Sequence, residues 1–106
     1  MAYEYVILEG AQNDYRGIIE YLLNVKKSPQ AALGFMDEFD RQLDIVCDNP
    51  FLYGLSRMPE LASLGYRPFL VNKYIGLYFF RNERVVVAHV FHQTQDYARI
   101  VVSRGF

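Results

Sequence analysis

Residues 64–97 read LGYRPFLVNKYIGLYFFRNERVVVAHVFHQTQDY, and the fold turns on this stretch. Its three apolar runs are separated only by the polar pairs Asn72-Lys73 and Asn82-Glu83. The runs are rich in Val, Ile, Phe and Tyr, which suit a pleated, half-buried surface. Connections this short join antiparallel neighbours, because a parallel crossover takes about a dozen residues or more. The stretch therefore predicts a three-stranded meander, ending in the polar cluster His92-Gln93-Thr94-Gln95-Asp96-Tyr97.

Upstream the period changes. Ala11, Tyr15, Ile18, Ile19, Leu22 and Leu23 fall on one face of a helix, with Asn13 or Asp14 near its start. Gly17 weakens that helix and suggests a close helix–helix contact. Val25-Lys26-Lys27-Ser28-Pro29 reads as a helix stop followed by a start, with Ser as cap and Pro in the first helical position. Ala32, Phe35, Met36, Phe39, Leu43 and Val46 form the apolar stripe of a second helix, which stops by Asn49-Pro50. Tyr3 to Leu8 reads as an opening strand. Residues 51–63 read as a loop with a short turn at Pro59-Glu60-Leu61. Residues 98–106 are a strand continuation or, preferably, a helical turn. The expected architecture is α+β: a β-α-α-β-β-β order in one domain over residues 1–106, with a small antiparallel-rich sheet covered on one face by a helical hairpin.

Composition narrows the function classes. The chain has nine Tyr and eight Phe but no Trp, a density that fits either a thick core or a partner surface. The single cysteine, Cys47, rules out an internal disulfide framework and a multi-cysteine zinc site, and reads as a buried apolar residue. Neither a signal peptide nor a membrane span is legible, so a cytoplasmic location is expected. Net charge is -1, with no global pull towards nucleic acid, but it is divided: residues 1–48 carry -5 and residues 49–106 carry +4.

The chemistry-bearing residues gather at the end of the meander. If the last strand has no bulge, Val85, Val87, His89 and Phe91 share one face and Val86, Ala88, Val90 and His92 the other. The two histidines then diverge, which disfavours a metal pair. His92 is a candidate acid–base residue with Tyr97 close in sequence, although a histidine there also serves simply as a sheet cap. Arg67 interrupts an apolar run. It suits phosphate recognition through its planar fork, or an ion pair with the acidic helices. The Gly-rich phosphate loop, HExxH and GxGxxG motifs are all missing, and no cofactor or metal is expected.

The order of these pieces resembles the RelE/ParE superfamily of toxins from bacterial type II toxin–antitoxin systems. The resemblance runs through Ala11, Tyr15, Ile18 and Tyr21, then Ala31-Ala32, Phe35 and Leu43, then Asn49-Pro50. It continues with Gly65-Tyr66-Arg67, Leu77-Tyr78, and a strand ending in His92 shortly before Asp96-Tyr97. It implies a growth-inhibiting toxin, associated with plasmid stabilisation and neutralised by a cognate antitoxin protein from a neighbouring gene. ParE-like members poison DNA gyrase, whereas RelE-like members cleave mRNA on the ribosome at a basic, metal-free site. Carried over residue by residue, Arg67, His92 and Tyr97 are the candidate catalytic residues of the nuclease type. The further nuclease arginines would fall near Ile75 and Gln95, and neither position is basic here. These departures place the ParE-like branch ahead. A RelE-like endoribonuclease is the alternative, and a degenerate, non-toxic partner-binding module a second.

Overall fold

A computed structural model describes residues 2–104. Along the chain run β1 (Glu4–Ile7), α1 (Glu9–Asn24), α2 (Pro29–Asp48), α3 (Pro59–Ala62), β2 (Arg67–Val71), β3 (Tyr74–Arg81), β4 (Arg84–His92) and α4 (Tyr97–Arg104). The expected meander is present, with β2 antiparallel to β3 and β3 antiparallel to β4. Its turns follow from their asparagines. Asn82 and Glu83 both take positive φ, 54° and 59°, the pair of left-handed residues that matches a two-residue loop to strand twist. Asn72, with φ 55°, opens the other turn; asparagine tolerates this region because its short amide hydrogen-bonds locally. β1 adds to β4 in parallel, Glu4 opposite Arg84, giving the sheet order β1-β4-β3-β2. Of the expected terminal helix, residues 105–106 lie outside the described residues.

The hairpin of α1 and α2 covers one face. Ser28 caps α2 by accepting the Ala31 amide at 3.1 Å, and Pro29 stands in the first turn. From α2, Phe35 and Phe39 reach the sheet edge-on, Phe35 to Tyr74 at 5.1 Å and Phe39 to Phe69 at 5.8 Å. Tyr15 of α1 closes on Phe39 at 4.9 Å. Each such pair adds about 0.5–1.5 kcal/mol beyond its buried area. Many of the aromatic side chains thus build the core. Gly76 makes room for one of them: a Cβ there would fall 2.3 Å from the Phe69 ring.

Two expectations for α1 are corrected. The helix begins at Glu9 behind Leu8, with no side-chain cap, and Asp14 sits within it, where its carboxylate accepts the Val90 amide at 3.1 Å. Gly17 makes no close helix contact either: a Cβ built there meets nothing of another element within 4 Å.

The face away from the hairpin carries α3 and α4. Leu61, Ala98 and Val101 pack there with Tyr66, Ile75, Leu77, Ala88 and Phe91 in a second core. The face pattern of β4 is also corrected. Tyr78 lies opposite Val87 but Leu77 opposite His89, so Ala88 is an extra residue, a β-bulge. Val85, Val87 and Val90 therefore join the hairpin-side core, while Ala88 and Phe91 join the other. His89 and His92 both follow the bulge and remain on opposite faces.

Candidate functional site

His92 closes β4 and is held by the turn that follows. Its amide donates to Gln95 Oε1 at 2.9 Å, and the Gln95 amide returns to the His92 carbonyl at 3.0 Å. The Thr94 amide, which can only donate, lies 3.2 Å from His92 Nδ1, and the Thr94 hydroxyl lies 2.7 Å from it. Nδ1 is therefore an acceptor and the neutral ring carries its proton on Nε2. So wired, the imidazole offers a hydrogen-bond donor rather than a base. Its ring stands edge-on to Tyr74, 5.2 Å between centroids.

Two clefts meet at this point, sharing Tyr21, Tyr74 and His92 in their walls. One, of about 570 Å³, runs towards the α1–α2 turn and the β2–β3 turn, past Lys26, Lys73 and the buried Phe35. The other, of about 680 Å³, runs along α1 to Asp14 and Arg104. Burial, with the Tyr21 phenol close by, raises the pKa of Tyr74 above the usual tyrosine value. At the far end Arg104 forks onto Asp14 (3.1 and 3.2 Å), with one nitrogen also 3.1 Å from His89 Nδ1 and its plane over the Phe91 ring. Because arginine only donates, His89 Nδ1 accepts and Nε2 carries the proton, 3.4 Å from the Tyr66 hydroxyl. His89 is thus built into the core.

The other two sequence candidates lie elsewhere. Arg67 shares the hairpin face with His92 but sits at the opposite end of the sheet. It pairs with Tyr78 while His92 pairs with Tyr74, a separation of about 13 Å along the strands. Its guanidinium donates to the Tyr53 carbonyl at 2.7 Å and lies over Phe51, bracing the loop after α2. Tyr97 starts α4 and stacks on Phe91 at 6.3 Å, on the other face. A further recess lies at the β2 edge, walled by Leu55, Met58, Ile75 and Tyr97 from that side and by Gln42 and Phe69 from the hairpin side, with Arg57 as its cation. Ile75 is buried and Gln95 is spent on the His92 turn. Cys47 is buried as expected, and burial, with Asp44 and Asp48 nearby, pushes its thiol up, away from thiolate chemistry. Among the described residues no three His, Cys, Asp or Glu side chains gather as a metal site, and no helix is long and apolar enough to cross a membrane.

The model of a known family, the ParE toxin of the type II toxin–antitoxin system parDE, matches residues 5–97. The chain belongs to the ParE toxin family. Solved structures carry the same fold as this ParE-family chain. A chain of the chromosomal ParDE toxin–antitoxin system from P. aeruginosa superposes with a TM-score of 0.67 at 14% identity, covering 86% of this chain and 96% of that one. E. coli toxin RelE, an arginine-to-alanine double mutant in the free state, gives 0.64 at 18% identity and covers both chains fully (100%). A chain of the RelBE2 toxin–antitoxin complex from Mycobacterium tuberculosis gives 0.58 at 22% identity, covering 88% of this chain and 100% of that one. No curated protein matches the sequence.

Sequence reasoning missed Lys26, Lys73, Tyr21 and Tyr74 as neighbours of His92, and missed Arg104 as the partner of Asp14. The lysines stand at the two turns that flank one end of the sheet, and that shared position is the signal a sequence offers for them. The Asp14–Arg104 pair spans 90 residues and leaves no local trace.

Proposed function

We propose that this ParE-family toxin arrests growth, is neutralised by a cognate antitoxin, and acts in the ParE manner on DNA gyrase rather than as a RelE-like mRNA endoribonuclease. The observation that carries the choice is the dispersal of the nuclease-type residues. Arg67 braces a loop, His92 faces the hairpin side at the other end of the sheet, and Tyr97 roots α4 on the opposite face. Phosphodiester cleavage without a metal needs a base, an acid and phosphate-holding cations around one scissile bond, within hydrogen-bond reach of the atoms they serve. A separation of about 13 Å along the strands is several times that reach. The histidine presents a donor, and the two further arginine positions are an apolar and a neutral polar residue. A protein that acts by binding needs no such convergence, so Arg67, His92 and Tyr97 take part by holding shape rather than by moving protons.

Induced expression without the antitoxin tests this directly. Filamentation with DNA damage, and inhibition of gyrase supercoiling by the purified chain, are expected. Rapid cleavage of mRNA in a translating extract, abolished in an Arg67→Ala/His92→Ala pair, would overturn the choice of target. Normal growth would overturn the toxin reading itself.

A further inference from the structure

The groove through Tyr21, Tyr74 and His92 has a charge pattern unlike the helices that flank it. Both helices expose carboxylates: Glu20 on α1, and Asp37, Asp40, Asp44 and Asp48 on α2. The 570 Å³ cleft between the two turns nevertheless has no Asp or Glu in its walls, and carries Lys26 and Lys73 at its rim. Among the described residues neither lysine has a carboxylate partner; the ion pairs are Arg41–Glu38, Arg84–Glu4 and Arg104–Asp14. Lys26 lies instead over the Tyr21 ring, 5.9 Å from its centroid. The floor is apolar, built from Leu22, Phe35 and Tyr74.

The groove is also kept open at some cost to the helices. Gly17 lines one cleft and Gly34 the other, both inside helices, where glycine is a poor helix former. A Cβ at either would meet nothing of another element within 4 Å, so internal packing does not demand a glycine. What they leave free is space along the groove.

We propose that this groove seats a segment of the antitoxin in which a large aromatic or aliphatic side chain is flanked by carboxylates. The anchor drops onto the Phe35–Tyr74 floor, and the carboxylates meet Lys26, Lys73 and the Nε2–H of His92. The charge pattern sets the direction of the segment. Its acidic end lies at the α1–α2 turn, and its neutral end lies towards Arg104, whose charge is already met by Asp14. The groove takes a peptide rather than nucleic acid because its cations are two rim lysines around an apolar floor, not a track of arginines along a phosphate path. This inference rests on the toxin–antitoxin reading above and names the contact that reading leaves open.

The test uses the full chain, the antitoxin encoded beside it, and overlapping twelve-residue peptides that cover the antitoxin. Binding is read by calorimetry for the antitoxin and by fluorescence anisotropy for the peptides. The peptides that bind are expected to carry a surplus of Asp and Glu next to a large apolar residue, and their affinity to fall with added salt. Lys26→Glu with Lys73→Glu turns two attractive rim pairs into repulsive ones and is expected to weaken binding by about tenfold or more. Gly34→Leu fills the cleft from an exposed helix position and is expected to abolish binding while the protein still folds, as judged by its circular dichroism and unfolding transition. Arg99→Glu, on the exposed side of α4, is the control and is expected to change nothing. The proposal is overturned by unchanged affinity in both groove variants, by preferential binding of basic peptides, or by a twelve-nucleotide single strand that displaces the bound peptide. If the antitoxin binds no part of the wild-type chain, the toxin–antitoxin reading fails first. If it binds and both groove variants bind equally well, only the seat is wrong.

Discussion

Tyr78 ties the sheet to the loop after α2, and its titration gives a prediction with a definite sign. The side chain is fully buried (0% exposed) and its hydroxyl donates to the Pro50 carbonyl at 2.6 Å. Burial raises its pKa to about 12, an effect that exceeds the opposing pull of Arg67. The unfolded chain releases the same proton near 10, so the folded state holds it more tightly. The resulting stabilisation is fully present below about pH 10 and is lost as pH rises through about 12. Two pKa units correspond to about 3 kcal/mol in all, of which about half is gone by pH 11 and most by pH 12. Tyr78→Phe removes both the proton and the hydrogen bond. At pH 8 the variant is expected to be about 1–3 kcal/mol less stable, because the buried Pro50 carbonyl loses its donor. Towards pH 12 the gap is expected to close or reverse, since only the wild type has a phenol to ionise there. Half-buried Tyr15 and buried Tyr66 and Tyr74, whose values burial also raises, titrate in both proteins and cancel in the difference. Urea unfolding followed by far-ultraviolet circular dichroism at pH 8, 10 and 11 measures it. A stability difference that stays constant across that range would refute the reasoning.

Three further perturbations follow from the packing. Gly76→Ala drives a methyl group into the Phe69 ring and is expected to cost about 1–3 kcal/mol, part of it recovered in a Gly76→Ala/Phe69→Leu double-mutant cycle; calorimetric Tm values report both. Arg104→Met leaves Asp14 with the Val90 amide alone and is expected to cost about 1–3 kcal/mol, with faster hydrogen exchange at Ala98 and Val101 than in β3. Gly17→Ala meets no neighbour and is expected to raise stability by about 0.5–1 kcal/mol, which a shift in the urea midpoint checks.

What could be read from the sequence depended on whether the signal was local. The meander was legible because its turns rest on Asn72 and Asn82, residues that take positive φ at small cost. The α1–α2 reversal was legible because Ser28 and Pro29 act on their own helix. The α4 helix was preferred over a strand, although propensity alone left it open. The bulge at Ala88 was invisible for a physical reason: apart from His89, Val85–Val90 is apolar on both sides of the sheet because both faces are covered, so a shift in phase leaves no mark in the pattern. The same double cover hid α3 and α4 as partners of the second face. Gly17 misled because a helical glycine has two uses, admitting a neighbour or leaving a space, and the sequence is identical for both. The candidate site was legible at His92 and not beyond it. Its neighbours come from α1, the two turns and α4, and only the fold brings them together.

The parallel pairing of β1 with β4 also has a bearing on time. Glu4 finds its place beside Arg84, 80 positions later. At about 5–20 residues per second of synthesis, the opening strand waits some 4–16 seconds for its neighbour. Until then the α1–α2 hairpin has no finished sheet to lie on, and a chain interrupted before β4 cannot close the sheet at all. A harmful protein built this way becomes competent only once β4 has been made. That interval gives a partner made alongside it the chance to be present first.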